Sequence, residues 1–530
     1  MALPKDFSER RPYNAVTDFV DANVDRGLGN KIAFIDPDRS LTYGDLQARS
    51  IRFANALRNL SVEQEHRVAL LLNDTIDYPV VFWGTIRSGA IAIPLNTYLT
   101  VPQYAYILAD CRATALIAAA PLAQTIWPII DSLPQLKTVL LVGDTDDKFL
   151  DRKVHQFEDV IAGADKMPFT AHTLSDEVAF WLYTSGSTGD PKGVKHVHSS
   201  LMATASLFGQ GILRICEDDV VHSASKLFFA YGLGNAMTFP MSVGATAALW
   251  PHRPSPEGVF EMMQRHRPTI FYGVPSLYAA LLSHHGICKG AGSDRLRICV
   301  SAGEALPAHI GERWRDTVGV DVLDGLGSTE LLQTFLSNRP GDIRYGSTGK
   351  PVPGYETRII DESGHELADG EIGELIVRGP SAGEGYWNQR AKSRRTFAGE
   401  WTHTGDKYRR DADGYYYYCG RTDDMFKVSG MWVSPFDVEA ALVSHEAVLE
   451  AAVIGKEDAD GLIKPKAFIV LKNGYAADDG LLEKLKIHVK DKAGPWKFPR
   501  WIELRSNLPR TATGKIQRFK LREEDLQASG

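Results

Sequence analysis

Apolar positions along this chain follow two periods in turn. Residues 67–72 form a short apolar run, 78–88 carry apolar side chains at helical spacing, and 90–94 form a second run. A strand, a helix and another strand in that order predict a βαβ unit and parallel sheet. Four later segments repeat one design. Residues 178–183, 269–272, 297–300 and 320–323 are mostly apolar, and each ends in small or polar turn residues. Ligands of open α/β sheets sit beyond the carboxyl ends of the strands, so four such ends together predict a site.

The pattern changes after about residue 401. Residues 408–420 read as a hairpin turning at Asp413-Gly414, and 435–445 as an amphipathic helix. Strands follow at 451–454 and 467–471, then a helix of alternating charge at 481–492. The fold class is α/β: a large N-terminal domain, 1–422, of mixed, mostly parallel sheets with flanking helices, and a small α+β domain, 423–530.

Composition narrows the function classes. The length of 530 residues exceeds one ordinary domain, and a hydrophobic share of 44% with 24% charged is that of a globular protein. A net charge of −7 argues against nucleic acid or an anionic membrane as partner. The longest apolar stretch, 79–94, is broken by Arg87 and Ser88, and residues 1–11 lack the apolar core of a signal peptide. A cytoplasmic protein without stable membrane association is expected. The five cysteines, Cys111, Cys216, Cys288, Cys299 and Cys419, show no CxxC spacing and read as free thiols, with Cys299 as a small core residue.

The chemistry concentrates between Tyr183 and Gly193. Thr184, Ser185, Gly186, Ser187, Thr188 and Gly189 precede Pro191 and Lys192. Glycines let backbone N–H groups turn toward an anion, hydroxyls add donors, and Lys192 adds charge: a phosphate cradle. It is not the Walker type, which needs glycine where Pro191 stands.

This loop resembles the phosphate-binding signature of the adenylate-forming superfamily, which holds acyl- and aryl-CoA ligases, luciferases and peptide-synthetase adenylation domains. The resemblance runs on through the segments 324–330, 401–406, 420–423 and 509–515. It implies two half-reactions. A carboxylate attacks the α-phosphate of ATP and pyrophosphate leaves; the thiol of coenzyme A then attacks the acyl-adenylate. By resemblance, Thr184 to Thr188 and Lys192 hold the β- and γ-phosphates, Thr329 the α-phosphate, and Glu330 binds Mg²⁺. Lys515 is the adenylation lysine, and Asp406 with Arg421 holds the ribose. Asp324 and Gly325 face adenine, with Gly303, Glu304 and Ala305 packed on the ring; Glu304 also reads as a residue in the first turn of a helix. Asp423 is the implied hinge of a mobile small domain. Lys427, Ser429, Gly430 and Trp432 line the implied coenzyme A tunnel, where a side chain at Gly430 would block passage.

The segment 226–235, with 301–304 and 427–435, is similar to benzoate-CoA and hydroxybenzoate-CoA ligases. Ala230, Tyr231, Gly232, Ala302 and Gly327 would form a flat slot for an aromatic carboxylic acid. Gln333 and Thr334 are expected to meet a ring hydroxyl or amino group. The alternative is a stand-alone enzyme that loads a carrier protein, which shares every ATP motif; no Ser-centred carrier segment follows Lys515. The readings leave room for a homodimer and for a lysine acetyltransferase acting at Lys515, where acetylation removes the charge.

Overall fold

The computed structural model describes residues 12–144, 153–184, 190–422, 424–428, 431–459, 461–475, 478–494, 496–510 and 516–529. They form two compact units: one contains 12–184, 190–356 and 377–402, the other 357–376 and the described residues from 403 onward.

Among the described residues the first unit holds two large sheets. The seven-stranded sheet runs in the order Val154–Gln156, Thr138–Val142, Ala115–Ala119, Arg67–Leu71, Ile91–Pro94, Val178–Thr184, Lys192–Val197. Its strands pair in parallel except at the last hairpin. The predicted strand–helix–strand is present as Arg67–Leu71, Asp77–Arg87 and Ile91–Pro94. Every residue of that helix is buried, which explains why its spacing leaves no polar face. It packs on the helix Tyr43–Asn59, whose N-terminus is capped by the Thr42 hydroxyl accepting from Asp45 N at 3.0 Å. At Gly84 a Cβ would fall 2.7 Å from the Phe53 ring, so the two helices approach as closely as glycine allows.

The nine-stranded sheet runs Lys350–Pro351, Thr334–Ser337, Val322–Gly327, Ile298–Ser301, Ile270–Gly273, Val220–Ser223, Thr246–Ala248, Ile32–Ile35, Ser40–Thr42. Its central strands are parallel. Three of the four expected strand ends therefore lie side by side here, while the fourth, at Thr184, belongs to the other sheet. One prediction stops short: the strand expected to end at residue 323 continues to Gly327, because Gly325, Leu326 and Gly327 pair antiparallel with Ser337, Leu336 and Thr334. Cys299 is fully buried in this sheet, and all five cysteines are free.

Most residues of strands Glu356–Ile360, Gly373–Arg378 and Trp401–Arg410, and all of Tyr416–Arg421, fall in the second unit; the four make most of a five-stranded sheet. The last two form the predicted hairpin, with Gly414 at φ +82° in its turn. Beyond it come the ribbon Phe426–Val428 and Met431–Val433, then helix Pro435–Val443. Strands Val448–Glu457 and Ile463–Leu471 pair antiparallel, and Trp501–Leu504 joins them in parallel. Helices Asp479–Ala493 and Arg518–Ser529 complete the unit. Residues 403–421 go with this part because the hairpin packs onto it: the Tyr418 ring meets Phe436 at 5.6 Å. The expected boundary at 422/423 thus falls inside the second unit. Among the described residues no helix is long and apolar enough to cross a membrane.

Candidate active site

Parallel pairing among three strands of the nine-stranded sheet ends in one row. Gly273 pairs with Ser301, and Ser301 with Asp324. Asp324 is buried, with the backbone N–H groups of Leu306 and Gly325 turned to its carboxylate. Its Oδ1 has no hydrogen-bond partner among the described residues. Burial drives this carboxyl well above the usual carboxylate range, against the pull of those two N–H groups. An orphaned buried acceptor costs stability unless a ligand supplies a donor, and the exocyclic amino group of adenine is such a donor. Beside it Gly303 is exposed at φ +94°, and a Cβ there would touch only Val274 Cγ1 at 3.8 Å. Glycine is therefore required by the backbone, with open space beside it. Ala302 is buried behind, and Glu304 and Ala305 are half-buried.

The expected acid pocket starts from the short helix Ala230–Leu233. The Tyr231 hydroxyl donates to the carbonyl of Val300 at 3.2 Å and lies 3.4 Å from that of Gly273, tying this helix to the same row. Gly232 and Gly327 serve the main chain: a Cβ would fall 2.0 Å from the Lys226 carbonyl oxygen or 2.8 Å from that of Gln333. Gln333 departs from expectation. Its Nε2 donates to the carbonyls of Ala230 and Tyr231 at 3.3 and 3.1 Å, and its Oε1 accepts from Thr334 N and Thr334 Oγ1 at 2.9 Å each. All four hydrogen-bonding positions of the amide are thereby used within the fold. Gln333 fastens the 230–233 helix to the strand Thr334–Ser337 and has no donor or acceptor left for a ring hydroxyl.

The hairpin of strands Val178–Thr184 and Lys192–Val197 places Thr184 opposite Lys192. The cradle residues Ser185, Gly186, Ser187, Thr188 and Gly189 lie between them, outside the described residues. Along the second strand Lys192, Val194 and His196 share one face. Its outer edge takes a further segment: Trp387 N donates to Gly193 O at 2.8 Å, Lys195 N to Gly385 O at 3.1 Å, and Glu384 N to Lys195 O at 2.9 Å. Tyr386 thus stands opposite Val194. Its ring lies 4.2 Å from Lys192 Nζ, and its hydroxyl donates to Glu330 Oε1 at 2.7 Å. The turn carrying Thr329 and Glu330 is pinned on three sides. His196 Nε2 meets the Thr329 carbonyl at 2.9 Å, Gly383 N donates to Glu330 O at 2.8 Å, and Ser381 Oγ donates to Leu331 O at 2.7 Å. His196 is fully buried, stacked on Phe180, and burial lowers its pKa to about 4. It is neutral at pH 7, so Nε2 carries the hydrogen donated to Thr329. Neither His196 nor Tyr386 stood out in the sequence. The alternation from Lys192 points to His196, but nothing in the spacing points to Tyr386.

Among the described residues no three His, Cys, Asp or Glu side chains form a metal cage. One carboxylate such as Glu330 suffices where phosphate oxygens and water complete the shell of a magnesium ion.

In the second unit, Asp406 pairs with Arg421 across the hairpin. Arg421 Nη1 donates to Asp406 Oδ1 and to the Thr404 carbonyl, each at 2.9 Å. Asp424 accepts from Arg522 Nη1 at 2.9 Å, and Arg518 lies 3.4 Å away. Arg518 also grips Glu439 with two bonds, at 2.9 and 2.6 Å. The backbone of Lys427 pairs with that of Trp432. Asp423, Ser429, Gly430 and Lys515 lie outside the described residues.

Sequence profiles agree with this geometry. The profile of the AMP-binding enzyme family matches residues 20–387, and that of the AMP-binding enzyme C-terminal domain matches 437–515. The chain belongs to the adenylate-forming, AMP-binding enzyme family. A 4-hydroxybenzoate–CoA/benzoate–CoA ligase of Rhodopseudomonas palustris is 52% identical over 97% of this chain and 95% of the relative. A benzoate–CoA ligase of Thauera aromatica is 51% identical over 96% of each. The crystal structure of a benzoate CoA ligase from Burkholderia xenovorans LB400 superposes with a TM-score of 0.88 at 47% identity, covering 96% of this chain and all of that one. Within its family the chain falls with the benzoate- and hydroxybenzoate-CoA ligases, AMP-forming acid–thiol ligases that use ATP and coenzyme A.

Proposed function

We propose that this enzyme activates benzoate or a hydroxybenzoate. A carboxylate oxygen of the acid bonds to the α-phosphorus of ATP, and pyrophosphate leaves. The thiol sulfur of coenzyme A then bonds to the acyl carbon, AMP leaves and the thiol proton goes to solvent. The observation that carries the nucleotide part is the row Gly273–Ser301–Asp324, ending in a buried acceptor without a partner among the described residues. The aromatic part rests on Tyr231, held against that row, and on the substrates named for the relatives.

In this reading Asp324 accepts from the adenine amino group, while Gly303, Glu304 and Ala305 cover the ring. Thr184 to Gly189 and Lys192 hold the β- and γ-phosphates, and Thr329 the α-phosphate. Glu330 would hold Mg²⁺, which when bound neutralises phosphate charge. Asp406, with Arg421 beside it, takes the ribose hydroxyls. Lys515 steadies the developing charge during adenylation. The domain from Asp423 onward then turns about that residue, bringing Lys427, Ser429, Gly430 and Trp432 to the path of the thiol.

The test is ATP- and CoA-dependent release of AMP and pyrophosphate over benzoate, the three hydroxybenzoates, 2-aminobenzoate, cinnamates and short fatty acids. Thioester formed from benzoate or a hydroxybenzoate is the expected result. Pyrophosphate release without thioester would mean carrier loading, and a preference for fatty acids would overturn the aromatic reading.

A further inference from the structure

Lys192 and Glu330 come from different sheet hairpins, and each has its proposed task at the nucleotide phosphates. One side chain touches both. Tyr386 is 5% exposed and held from several directions. Its N–H donates to Ser393 Oγ at 3.0 Å, its ring packs on Phe397 at 5.4 Å, and its backbone stands opposite Val194. The neighbouring Trp387 is locked in turn, tilted against Trp181 at 4.6 Å with its indole N–H on the Asp110 carbonyl at 2.9 Å. The phenol is a fixed post, whereas Lys192 and Glu330 are only half-buried.

The two contacts on that post are linked electronically. A phenol O–H that donates to a carboxylate gains electron density on its oxygen and ring, which strengthens the ring face as a partner for an ammonium. When a cation neutralises Glu330, the hydroxyl donates less strongly and the ring releases Lys192 more readily. The same hydroxyl fixes the orientation in which Glu330 presents its carboxylate, as outer partners of metal ligands do.

We infer that Tyr386 is a positioning residue that couples the two phosphate-side contacts: a divalent cation at Glu330 frees Lys192 for the phosphates, so that cation and nucleotide bind cooperatively through this one side chain. The inference rests on the roles of Lys192 and Glu330 proposed above.

The experiment is calorimetric titration of the full-length enzyme with ATP, without acid or coenzyme A, over a series of Mg²⁺ concentrations. Tyr386→Phe keeps the ring, its packing and its contact with Lys192, and removes only the hydroxyl. It is expected to bind ATP more tightly than the native enzyme without Mg²⁺, because the ring's hold on Lys192 is already weakened, and to need about 10-fold more Mg²⁺ for half-maximal tightening. In a Glu330→Gln background, Tyr386→Phe should add nothing to the Mg²⁺ dependence, because the charge that drives the coupling is gone. An unchanged Mg²⁺ dependence in Tyr386→Phe would overturn the inference. So would equal losses with and without Mg²⁺, or additive effects in the double variant. If the native enzyme itself binds ATP with no response to Mg²⁺, the assignment of Glu330 fails first, and the coupling with it.

Discussion

Thr334 gives both its backbone N–H and its hydroxyl to one oxygen of Gln333. That closed pair explains why two polar residues can sit 3% and 1% exposed beside the helix Ala230–Leu233. Replacing Gln333 by Leu should leave the carbonyls of Ala230 and Tyr231 without their amide donor and cost about 1–3 kcal/mol of stability in urea unfolding. Turnover of benzoate and 4-hydroxybenzoate should fall together. A selective change in their ratio of about 10-fold would restore Gln333 as a reader of the ring.

His196 provides a pH signature of the turn it supports. Its pKa is about 4 in the fold because burial disfavours the charged ring. The unfolded chain titrates it near the ordinary value of about 6.5. Its stabilising share is therefore complete above pH 6.5 and is lost as pH falls toward 4, where the unfolded state takes up a proton that the fold refuses. His196→Gln keeps an amide donor for the Thr329 carbonyl and cannot titrate. Unfolding free energies measured from pH 7 to 4.5 should fall less steeply in the variant, by about 1.4 kcal/mol per pH unit. Parallel curves would show that His196 charges freely in the folded state.

The unpartnered oxygen of Asp324 should govern the choice of base. Asp324→Ala is expected to raise KM for ATP by about 10-fold or more while GTP, which offers an acceptor at that position, loses little. Nucleotide competition assays decide this; an unchanged ATP/GTP preference would place adenine elsewhere.

Arg518 holds two carboxylates at once. Burial alone would lower its pKa, yet Glu439 and Asp424 raise it instead. Arg518→Met would strand the buried Glu439 without its guanidinium, at a cost of about 3–5 kcal/mol. Combining it with Glu439→Met should return much of that loss in denaturant titrations, since the stranded charge is then removed.

Local patterning carried the parallel core well. The apolar runs at 67–72 and 90–94 and the Asp413-Gly414 turn obey rules acting within a few residues, and they reappear in place. Val322–Gly327 ran past its predicted end because glycine, a poor strand former alone, is stabilised by a partner strand ten residues on. Contiguous motifs supplied the candidate site residues, and the fold adds how Lys192, Thr329 and Glu330 are held. Tyr386 escaped because its role arises only when residues 384–387 pair with the edge of Lys192–Val197, a contact across nearly two hundred residues. Gln333 was misread because a polar side chain announces its capacity for hydrogen bonds and not who fills it.

The pairing of Thr184 with Lys192 also guards against misassembly. Strand side chains alternate between faces, so a slip of one residue along this hairpin would exchange the places of His196 and Lys195 and of Lys192 and Gly193. A lysine would then enter the apolar site now filled by a neutral imidazole stacked on Phe180, and the ammonium opposite Tyr386 would vanish. Burying an unpaired ammonium is prohibitive. The strand that carries Lys192 therefore proofreads its own alignment during folding, and chains that pair it with Val178–Thr184 out of step discard that arrangement before it can trap them.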